Sequence, residues 1–381
     1  MNHPAYAVAR MVAPAVADHL QRHRAALPPQ DPARPPLELL PTAPHIEALV
    51  DVAFWASVRR EEGYIPKISL AFLRPMAEVS PLVFGQPLPL DPAALTRLAA
   101  AVERPGVHLG VWPADSGDLM VWGATHTIPS FCFVVEVVAP GVLVLKHRPR
   151  HESRKFVNVA VLEGDRIKIV DEGTSLLAGC PALMASLIAF DPASLHDDAL
   201  NLQVRLALSM RRHGRGGILL IVPSGTDAWR DSIVHPIRYA VQPPFRQLPD
   251  LLRGRGDMAE HEWHEALERS IDSLAGLTAV DGATVMTDGY DLLAFGAKIG
   301  RRDGGSPVED IVVTEPIVDG AAERMHPGQL GGTRHLAAAQ FVHDQRGAVA
   351  LVASQDGRFT ICAWSPCDDT VHAHRVEILL L

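Results

Sequence analysis

The sequence predicts an α/β protein in which a C-terminal domain with a mixed, twisted sheet flanked by helices follows an α+β N-terminal region. Three observations support this prediction. Helical segments alternate with short apolar strands over residues 195–381, as in layered α/β domains. Apolar and β-branched runs dominate residues 105–194, which favours a buried sheet. Residues 1–104 combine helical patterns with a proline-rich stretch, which predicts a helical arm and linker.

Length and charge limit the classes of function. The chain has 381 residues, 48% of them hydrophobic, and a net charge of −9. This acidic balance disfavours a general nucleic-acid surface, so we expect no specific nucleic-acid partner. We find no signal-peptide pattern and no apolar run suited to a membrane span, and therefore expect a cytoplasmic protein without a membrane partner. The four cysteines are scattered, which predicts reduced thiols.

The N-terminal half predicts helices over residues 5–25, 46–60 and 91–102. Pro14 predicts a break in the first helix, and Asp91 followed by Pro92 is a typical helix start. A short strand is expected at 68–73. Strands are then expected at 107–112, 119–123, 131–138, 141–146, 155–162 and 165–170.

Two features of this half leave alternatives open. The turn over residues 146–155 holds five Lys/Arg and two His, so it is either a solvated hairpin tip or a contact for an anionic ligand or partner. Residues 118–124 also match residues 291–297 in residue type, position by position. This echo indicates either an internal repeat or merely two similar hairpins.

The C-terminal half predicts a helix over 198–213 with a glycine stop, followed by a continuous apolar strand over 216–223. A loop-rich passage over 223–250 precedes a helix over 260–275. A strand over 279–286 then opens a hairpin that ends at 296. Strands at 347–353, 358–364 and 371–381 complete the predicted sheet.

Gly331 and Gly332 precede a predicted helix over 334–346, with Thr333 as its N-cap. Paired glycines admit backbone angles from which successive N–H groups can converge on an anion. The helix N-terminus adds roughly half a positive charge, and Arg334 and His335 add side-chain donors. Phosphate is the ligand that such a loop favours. The alternative is a tight turn, with His335 as a structural histidine at the helix start.

Asp281 is a single carboxylate in the apolar run 279–286. A buried acid must be paired or bind a metal, and otherwise it must lie at the open end of the strand. An ordinary strand-end or turn aspartate is the simplest interpretation.

Taken together, Asp-Gly-Ala at 281–283 and Gly-Thr-Arg-His at 332–335, followed by a strand that ends at Ser354, resemble the nucleotidyltransferase domain of diadenylate cyclases. The chain also resembles a subgroup with an N-terminal sensor region, the DACNV type. The resemblance implies a diadenylate cyclase-like fold and the condensation of two ATP molecules into cyclic di-AMP. It further implies Mg²⁺ or Mn²⁺, and a face-to-face homodimer or higher homo-oligomer.

The resemblance also implies roles for individual residues. Asp281 would bind the metal or the ribose 3′-hydroxyl, and Gly282 and Ala283 would allow close approach of the nucleotide. Gly332 and Thr333 would bind the triphosphate together with Arg334 and His335. Ser354 would border the pocket. Asp281, Arg334 and His335 would thus be the catalytic residues.

Two positions depart from the family pattern. Leu336 replaces the second arginine of Arg-His-Arg, and Gln355 follows the serine where many members have glutamate. An amide binds divalent cations less well than a carboxylate does, although Asp356 could substitute. A catalytically inactive nucleotide-binding sensor, in a signalling or defence pathway, is therefore the alternative function. A structural interaction module is a third interpretation.

Overall fold

The computed structural model describes residues 3–25, 40–60, 63–75, 81–104, 106–148, 156–170 and 202–381. The chain divides into two compact units, residues 1–170 with Leu381, and residues 171–380. Each unit contains a large mixed sheet. This division differs from the predicted one, because strands on both sides of residues 104 and 105 lie in the same sheet. The predicted boundary near residue 195 lies outside the described residues.

The described helices of the N-terminal unit are α1 (Ala7–Ala25), α2 (Ala43–Ser57) and α3 (Pro92–Val102). The predicted break at Pro14 is wrong, because α1 continues through it. The ring of Pro14 lies on the exposed side, while Val12, Val16 and Leu20 are buried on the opposite side. This apolar packing offsets the hydrogen bond that a proline removes. Asp91 caps α3 as expected, accepting a 3.0 Å hydrogen bond from the Ala94 N–H.

The N-terminal sheet holds eight strands in the order β2-β4-β3-β1-β5-β6-β7-β8. They are β1 (Ser69–Phe72), β2 (Leu82–Pro89), β3 (His108–Pro113), β4 (Leu119–Thr125), β5 (Phe133–Ala139), β6 (Val142–His147), β7 (Val157–Glu163) and β8 (Arg166–Ile169). Strand β2 was not predicted, since it lies at the sheet edge with mostly exposed residues and lacks a buried face. Helices α1, α2 and α3 share one apolar core with the sheet.

The described helices of the C-terminal unit are α4 (Leu202–Arg212), α5 (Gln247–Arg253), α6 (Glu260–Leu277), α7 (Pro327–Leu330) and α8 (Thr333–Asp344). Its strands are β9 (Gly217–Val222), β10 (Tyr239–Phe245), β11 (Ala283–Thr287), β12 (Leu292–Ala297), β13 (Ile311–Thr314), β14 (Glu323–Met325), β15 (Val349–Ala353), β16 (Phe359–Ser365) and β17 (Thr370–Arg375). The sheet order is β10-β12-β11-β9-β15-β16-β17-β13-β14.

Helices pack on both faces of this sheet. The core that contains residues of α4, α5 and α6 includes Trp263, whose indole N–H donates to the Leu251 carbonyl at 3.0 Å. Helix α8 contributes Phe341 and Val342 to a second core, together with Ile218. Every residue of β9 is buried, as predicted for a central strand that is covered on both faces.

Several predicted segments of this unit differ in extent. The last strand ends at Arg375 and a short 3-10 turn follows, while α8 ends at Asp344. The passage over 223–250 is more regular than predicted, because β10 lies within it and α5 begins in it. No helix of the described residues is long and apolar enough to cross a membrane.

Seven strands of the N-terminal sheet have the same order as seven strands of the C-terminal sheet. The order β2-β4-β3-β1-β5-β6-β7 corresponds to β10-β12-β11-β9-β15-β16-β17. Strands β1 and β3 are parallel, as are β9 and β11, and the other neighbouring pairs within both series are antiparallel. The echoed segments 118–124 and 291–297 fall on β4 and β12, which occupy equivalent places. The two hairpins are thus alike in topology as well as in sequence.

Candidate functional site

The central strands bring the predicted loops to one edge of the C-terminal sheet. Strands β9 and β11 are parallel, so both begin at this edge, where Ile218 pairs with Ala283. Strand β15 is antiparallel to β9 and therefore ends there, where Ala353 pairs with Gly217. The segments before β9 and β11 and the turn after β15 consequently meet at this edge, which we call the site edge.

Asp281 lies just before β11 and not inside it, since the strand begins at Ala283. Its side chain is 95% exposed and forms an ion pair with Lys298. The hydrogen bond and charge of Lys298, and more weakly the charge of Arg334, hold the pKa of Asp281 below its ordinary value. The acid is thus both paired and at the open end of the strand.

Gly282 is required by the backbone at this point. Its φ of +118° lies in a region that favours glycine, and a Cβ there would be 2.5 Å from the carbonyl carbon of Gly296. The close approach is therefore between two strands of the hairpin, whereas the resemblance assigned it to the nucleotide. The side chain of Ala283, the next residue, is buried in the core.

The glycine pair before α8 does not adopt the conformation that the sequence predicted. Gly331 has a φ of −178° and Gly332 a φ of −72°, so neither residue uses the left-handed region. Gly332, and not Thr333, is the N-cap, and Thr333 is the exposed first residue of the helix. The N–H groups of the first helical turn still make this end a potential anion site.

His335 lies beneath this loop and does not project from it. Its side chain is buried, with 4% of the residue exposed, and its Nε2 is 3.3 Å from the Thr360 hydroxyl. Burial lowers the pKa of His335 to about 4, against a smaller opposing effect from Asp356. The imidazole is consequently neutral at pH 7. This location suits a positioning residue, and differs from the direct phosphate contact that the resemblance implied.

Arg334 is exposed at the site edge and is held by the segment before β9. Its Nη2 donates to the main-chain carbonyl of Arg215 at 3.4 Å, and Gln355 Nε2 donates to the same oxygen at 3.3 Å. Gly216, with a φ of +70°, packs so closely that a Cβ would be 3.0 Å from the guanidinium of Arg334. These contacts fix one side of a planar group that binds phosphate well.

Ser354 and Asp356 belong to the turn between β15 and β16. The Ser354 N–H donates to the Arg358 carbonyl at 2.9 Å, and the Asp356 carboxylate accepts from the Arg358 N–H at 3.3 Å. Partial burial alone would raise the pKa of Asp356, but the Ser354 hydroxyl and Arg358 hold it below its ordinary value. These partners tie the Asp356 carboxylate to its own turn.

Four basic side chains lie around the start of α8. The charges of Arg334, Arg358 and Arg375 act on the His335 ring, and those of Lys298 and Arg334 act on Asp281. Lys298 is paired with Asp281, and Arg358 with Asp356, while Arg334 donates to a main-chain carbonyl. The chain as a whole carries a net charge of −9. A local cationic cluster in an acidic protein provides the electrostatic attraction that a phosphate ligand needs.

Two residues at this edge were missed from sequence. Lys298 follows the hairpin strand β12, and only the folded hairpin brings it to Asp281, 17 residues earlier in the chain. Tyr239 lies on edge strand β10, is 39% exposed and stacks on Phe295 with ring centroids 4.9 Å apart. Its ring also packs on Gly296, where a Cβ would be 2.9 Å from it. The sequence gives no signal for Tyr239, because β10 falls in a passage whose composition predicts loops.

A divalent metal fits this site only if a bound phosphate ligand supplies further oxygen atoms. Among the described residues, Asp281 does not belong to a group of three His, Cys, Asp or Glu side chains that could hold an ion. Mg²⁺ is commonly held by one or two carboxylates and by the phosphates of its substrate. Asp281 and a bound triphosphate could together form such a site.

Comparison with known proteins gives a match to a family model. Among curated proteins none matches this chain. Residues 35–126 match the family model described as "Probable sensor domain DACNV". Within that range the structure describes α2, α3 and β1 to β4. The N-terminal unit thus contains a segment similar to a sensor domain, and the match suggests a sensor role for this part of the chain.

Proposed function

We propose that the C-terminal unit is a nucleotidyltransferase of the diadenylate cyclase type, controlled by the N-terminal unit. It condenses two ATP molecules into cyclic di-AMP or a related cyclic dinucleotide. The observation that supports this proposal most is the position of Asp281 and Arg334 at the site edge: Asp281 lies just before β11, and Arg334 donates to the Arg215 carbonyl just before the parallel strand β9. Asp281, for the ribose 3′-hydroxyl, and Arg334, for the phosphates, then lie within one site.

The position of each residue at the site edge suggests its role in the proposed reaction. The N-terminus of α8 and the guanidinium of Arg334 bind the triphosphate through N–H donors. His335, neutral and buried, holds the loop in place beneath them. The exposed carboxylate of Asp281 orients the ribose 3′-hydroxyl, or the divalent cation that accompanies the nucleotide.

Mg²⁺ or Mn²⁺, when bound with ATP, would offset the phosphate charge and favour departure of pyrophosphate. Asp281 would hold the cation together with phosphate oxygens. Lys298 pairs with the same carboxylate, and the exposure of the pair keeps this interaction weak enough for a cation to replace it.

Ring closure requires two equivalent reactions. Each 3′-hydroxyl oxygen bonds to the α-phosphorus of the other ATP, the bond from that phosphorus to pyrophosphate breaks, and the hydroxyl proton is released. Two phosphodiester bonds and two pyrophosphates result. Since one C-terminal unit holds one nucleotide in this scheme, two units must face each other, and we propose a face-to-face homodimer or higher homo-oligomer.

Mass spectrometry of the products tests this function. The full chain, incubated with ATP and Mn²⁺ or Mg²⁺, is expected to release pyrophosphate and a cyclic dinucleotide. Asp281→Ala should abolish the product, whereas Asp303→Ala, which removes another exposed carboxylate of the same unit, should retain it. Absence of product from the unaltered chain, or equal product from Asp281→Ala, would overturn the proposal.

A second function, nucleotide binding without catalysis, is favoured by specific observations. Leu336, which replaces an arginine of the family motif, is 37% exposed in the first turn of α8. Gln355 offers an amide where a glutamate would offer a carboxylate to a metal, and its Nε2 donates to the main-chain carbonyl of Arg215. A sensor of this kind would bind ATP in calorimetry and leave it intact during prolonged incubation with Mn²⁺.

A further inference from the structure

Three histidines of the N-terminal unit form a cluster outside the candidate nucleotide site. They are His19 and His23 of α1 and His147, the last residue of β6. One ring nitrogen of each lies within 4.8 Å of the corresponding atoms of the other two. The ring centroids are 4.2 Å apart for His19 and His23, and 5.7 Å for His23 and His147.

The fold assembles this cluster from simple elements. His19 and His23 are four residues apart, so they lie on the same face of α1, one turn from each other. Val16 and Leu20, fully buried beside them, anchor this part of the helix in the core. Strand β6 pairs with β5 so that His147 lies opposite Phe133. The sheet thus fixes the position of the third histidine.

Burial and surroundings hold the rings in place. His19 is 6% exposed and His147 is 2% exposed, while His23 is half-buried. The ring of Phe131 stacks on His147, with centroids 5.6 Å apart and planes 15° from parallel. Two rings are therefore enclosed and one borders the solvent, so the fold holds the three rings near one another and leaves a side open to an ion.

The ligand set selects the class of ion. Three imidazoles without a carboxylate suit Zn²⁺ and its neighbours Co²⁺, Ni²⁺ and Cu²⁺, and disfavour Mg²⁺ and Ca²⁺. Zinc–nitrogen bonds of about 2.0 to 2.1 Å in a tetrahedron place the nitrogens roughly 3.3 Å apart. The observed limit of 4.8 Å is wider, and side-chain rotations that move each ring inward by about 1 Å would close it.

We propose that His19, His23 and His147 form a transition-metal site, with Zn²⁺ as the ion of best fit. Three protein ligands leave a fourth position for water or an exchangeable ligand. Bound metal would join α1 to β6, so that occupancy is coupled to the packing of α1 on the sheet. None of the three residues lies within the matched segment 35–126. The proposal assigns the N-terminal unit a chemical input and is independent of the proposed catalytic function.

Titration of the full chain with Co²⁺ and Zn²⁺ tests the site. The protein is freed of any purification tag and treated with chelator beforehand. Co²⁺ should give the visible absorption of a four-coordinate complex at one ion per chain, and Zn²⁺ should displace it. His23→Ala, which alters the half-buried ligand, should weaken Zn²⁺ binding at least tenfold. His126→Ala, which removes an exposed histidine of the same unit, should leave binding unchanged.

Thermal unfolding supplies a second measurement, because an ion that binds only the folded chain raises the melting temperature. Zn²⁺ should raise it for the unaltered chain and for His126→Ala, and should have little effect on His23→Ala or His147→Gln. Circular dichroism verifies that the variants are folded. If His147→Gln does not fold, His23→Ala alone decides the test. The proposal is overturned if the unaltered chain binds neither ion, or if His23→Ala and His126→Ala bind Zn²⁺ equally.

Discussion

Gly331 and His335 lie so close together that a Cβ atom at residue 331 would be only 2.2 Å from Nδ1 of the imidazole. Glycine is therefore needed at residue 331 for packing, and not for a left-handed backbone, since its φ is −178°. The same approach keeps the His335 ring under the loop that begins α8. The shape of the proposed phosphate loop thus depends on a buried neutral ring.

Gly331→Ala tests this contact. The added methyl group must displace the His335 ring or the loop, and we expect a loss of about 1 to 3 kcal/mol in the free energy of unfolding, as for other overpacked sites. Nucleotide binding should also weaken. Gly332→Ala is the matched control for stability, because a Cβ there meets open space within 4 Å. Urea denaturation and calorimetry with ATP measure the two effects, and equal losses of stability from the two variants would contradict the argument.

The buried imidazole of His335 should make stability depend on pH. Burial lowers its folded pKa from 6.5 to about 4, so the unfolded chain binds the proton more readily. Its contribution is fully present above pH 6.5 and is lost as the pH falls toward 4, by roughly 3 kcal/mol. Urea denaturation between pH 7 and pH 4 should show a smaller loss for His335→Gln than for the unaltered chain. His261→Gln, an exposed control, should leave the profile unchanged.

Leu336→Arg should strengthen nucleotide binding. Leu336 is 37% exposed in the first turn of α8, so a longer charged side chain can reach solvent beside the helix N-terminus. One additional charge-assisted hydrogen bond to phosphate contributes about 1.4 kcal/mol, or about tenfold in affinity for ATP. Calorimetry measures the change, with Leu336→Gln as the uncharged control. Unchanged affinity would place the phosphates away from this turn.

Lys298→Met should alter the metal requirement of the site. Lys298 pairs with Asp281 and is the main cause of its lowered pKa. Without this competing cation, Asp281 should bind Mn²⁺ at a lower concentration when ATP is present. Electron paramagnetic resonance of free Mn²⁺ provides the measurement, and Lys298→Arg is the charge-conserving control. If both variants behave like the unaltered chain, Asp281 does not hold the metal.

Tyr239→Ala should weaken nucleotide binding through loss of an aromatic surface. The exposed Tyr239 ring stacks on Phe295 and packs against Gly296, whose backbone also meets Gly282. A nucleotide base stacked on this ring gains about 1 kcal/mol, so the variant should bind ATP roughly fivefold more weakly. Phe245→Ala, which removes another exposed ring of the same strand, is the control. Equal losses would point to a general effect on β10.

Burial explains which elements could be predicted from the sequence. Strand β9, apolar throughout, and helix α3, with Asp91 and Pro92 at its start, have strong local signals and form where expected. Strands β2 and β10 lie at sheet edges and expose most of their residues, so they show no apolar alternation. Pro14 gives a genuine local signal against a helix, but the packing of α1 overrides it.

The sequence was sufficient to single out individual residues of the candidate site, but not their packing and pairing. The motif residues Asp281 and Arg334 could be singled out from residue type and order, and they meet at the site edge. The roles of Gly331 and His335 could not, because a ring packed against a glycine in the preceding turn depends on rotamer and burial. The pairing of Lys298 with Asp281 depends on the hairpin. The basic turn predicted over 146–155 lies mostly outside the described residues, since the structure describes its first three positions only.

The shared strand order of the two sheets separates scaffold from binding loop. In the N-terminal sheet, residues 126–132 suffice to join β4 to β5, whereas residues 298–348 join the equivalent strands β12 and β15. That longer connection contains β13, β14, α7 and α8, including the whole glycine loop and Arg334. The proposed phosphate-binding half of the site is thus an insertion between two strands whose N-terminal equivalents are joined by a short loop. A chain built in this way can change its ligand by exchanging a single connection while its central strands stay the same.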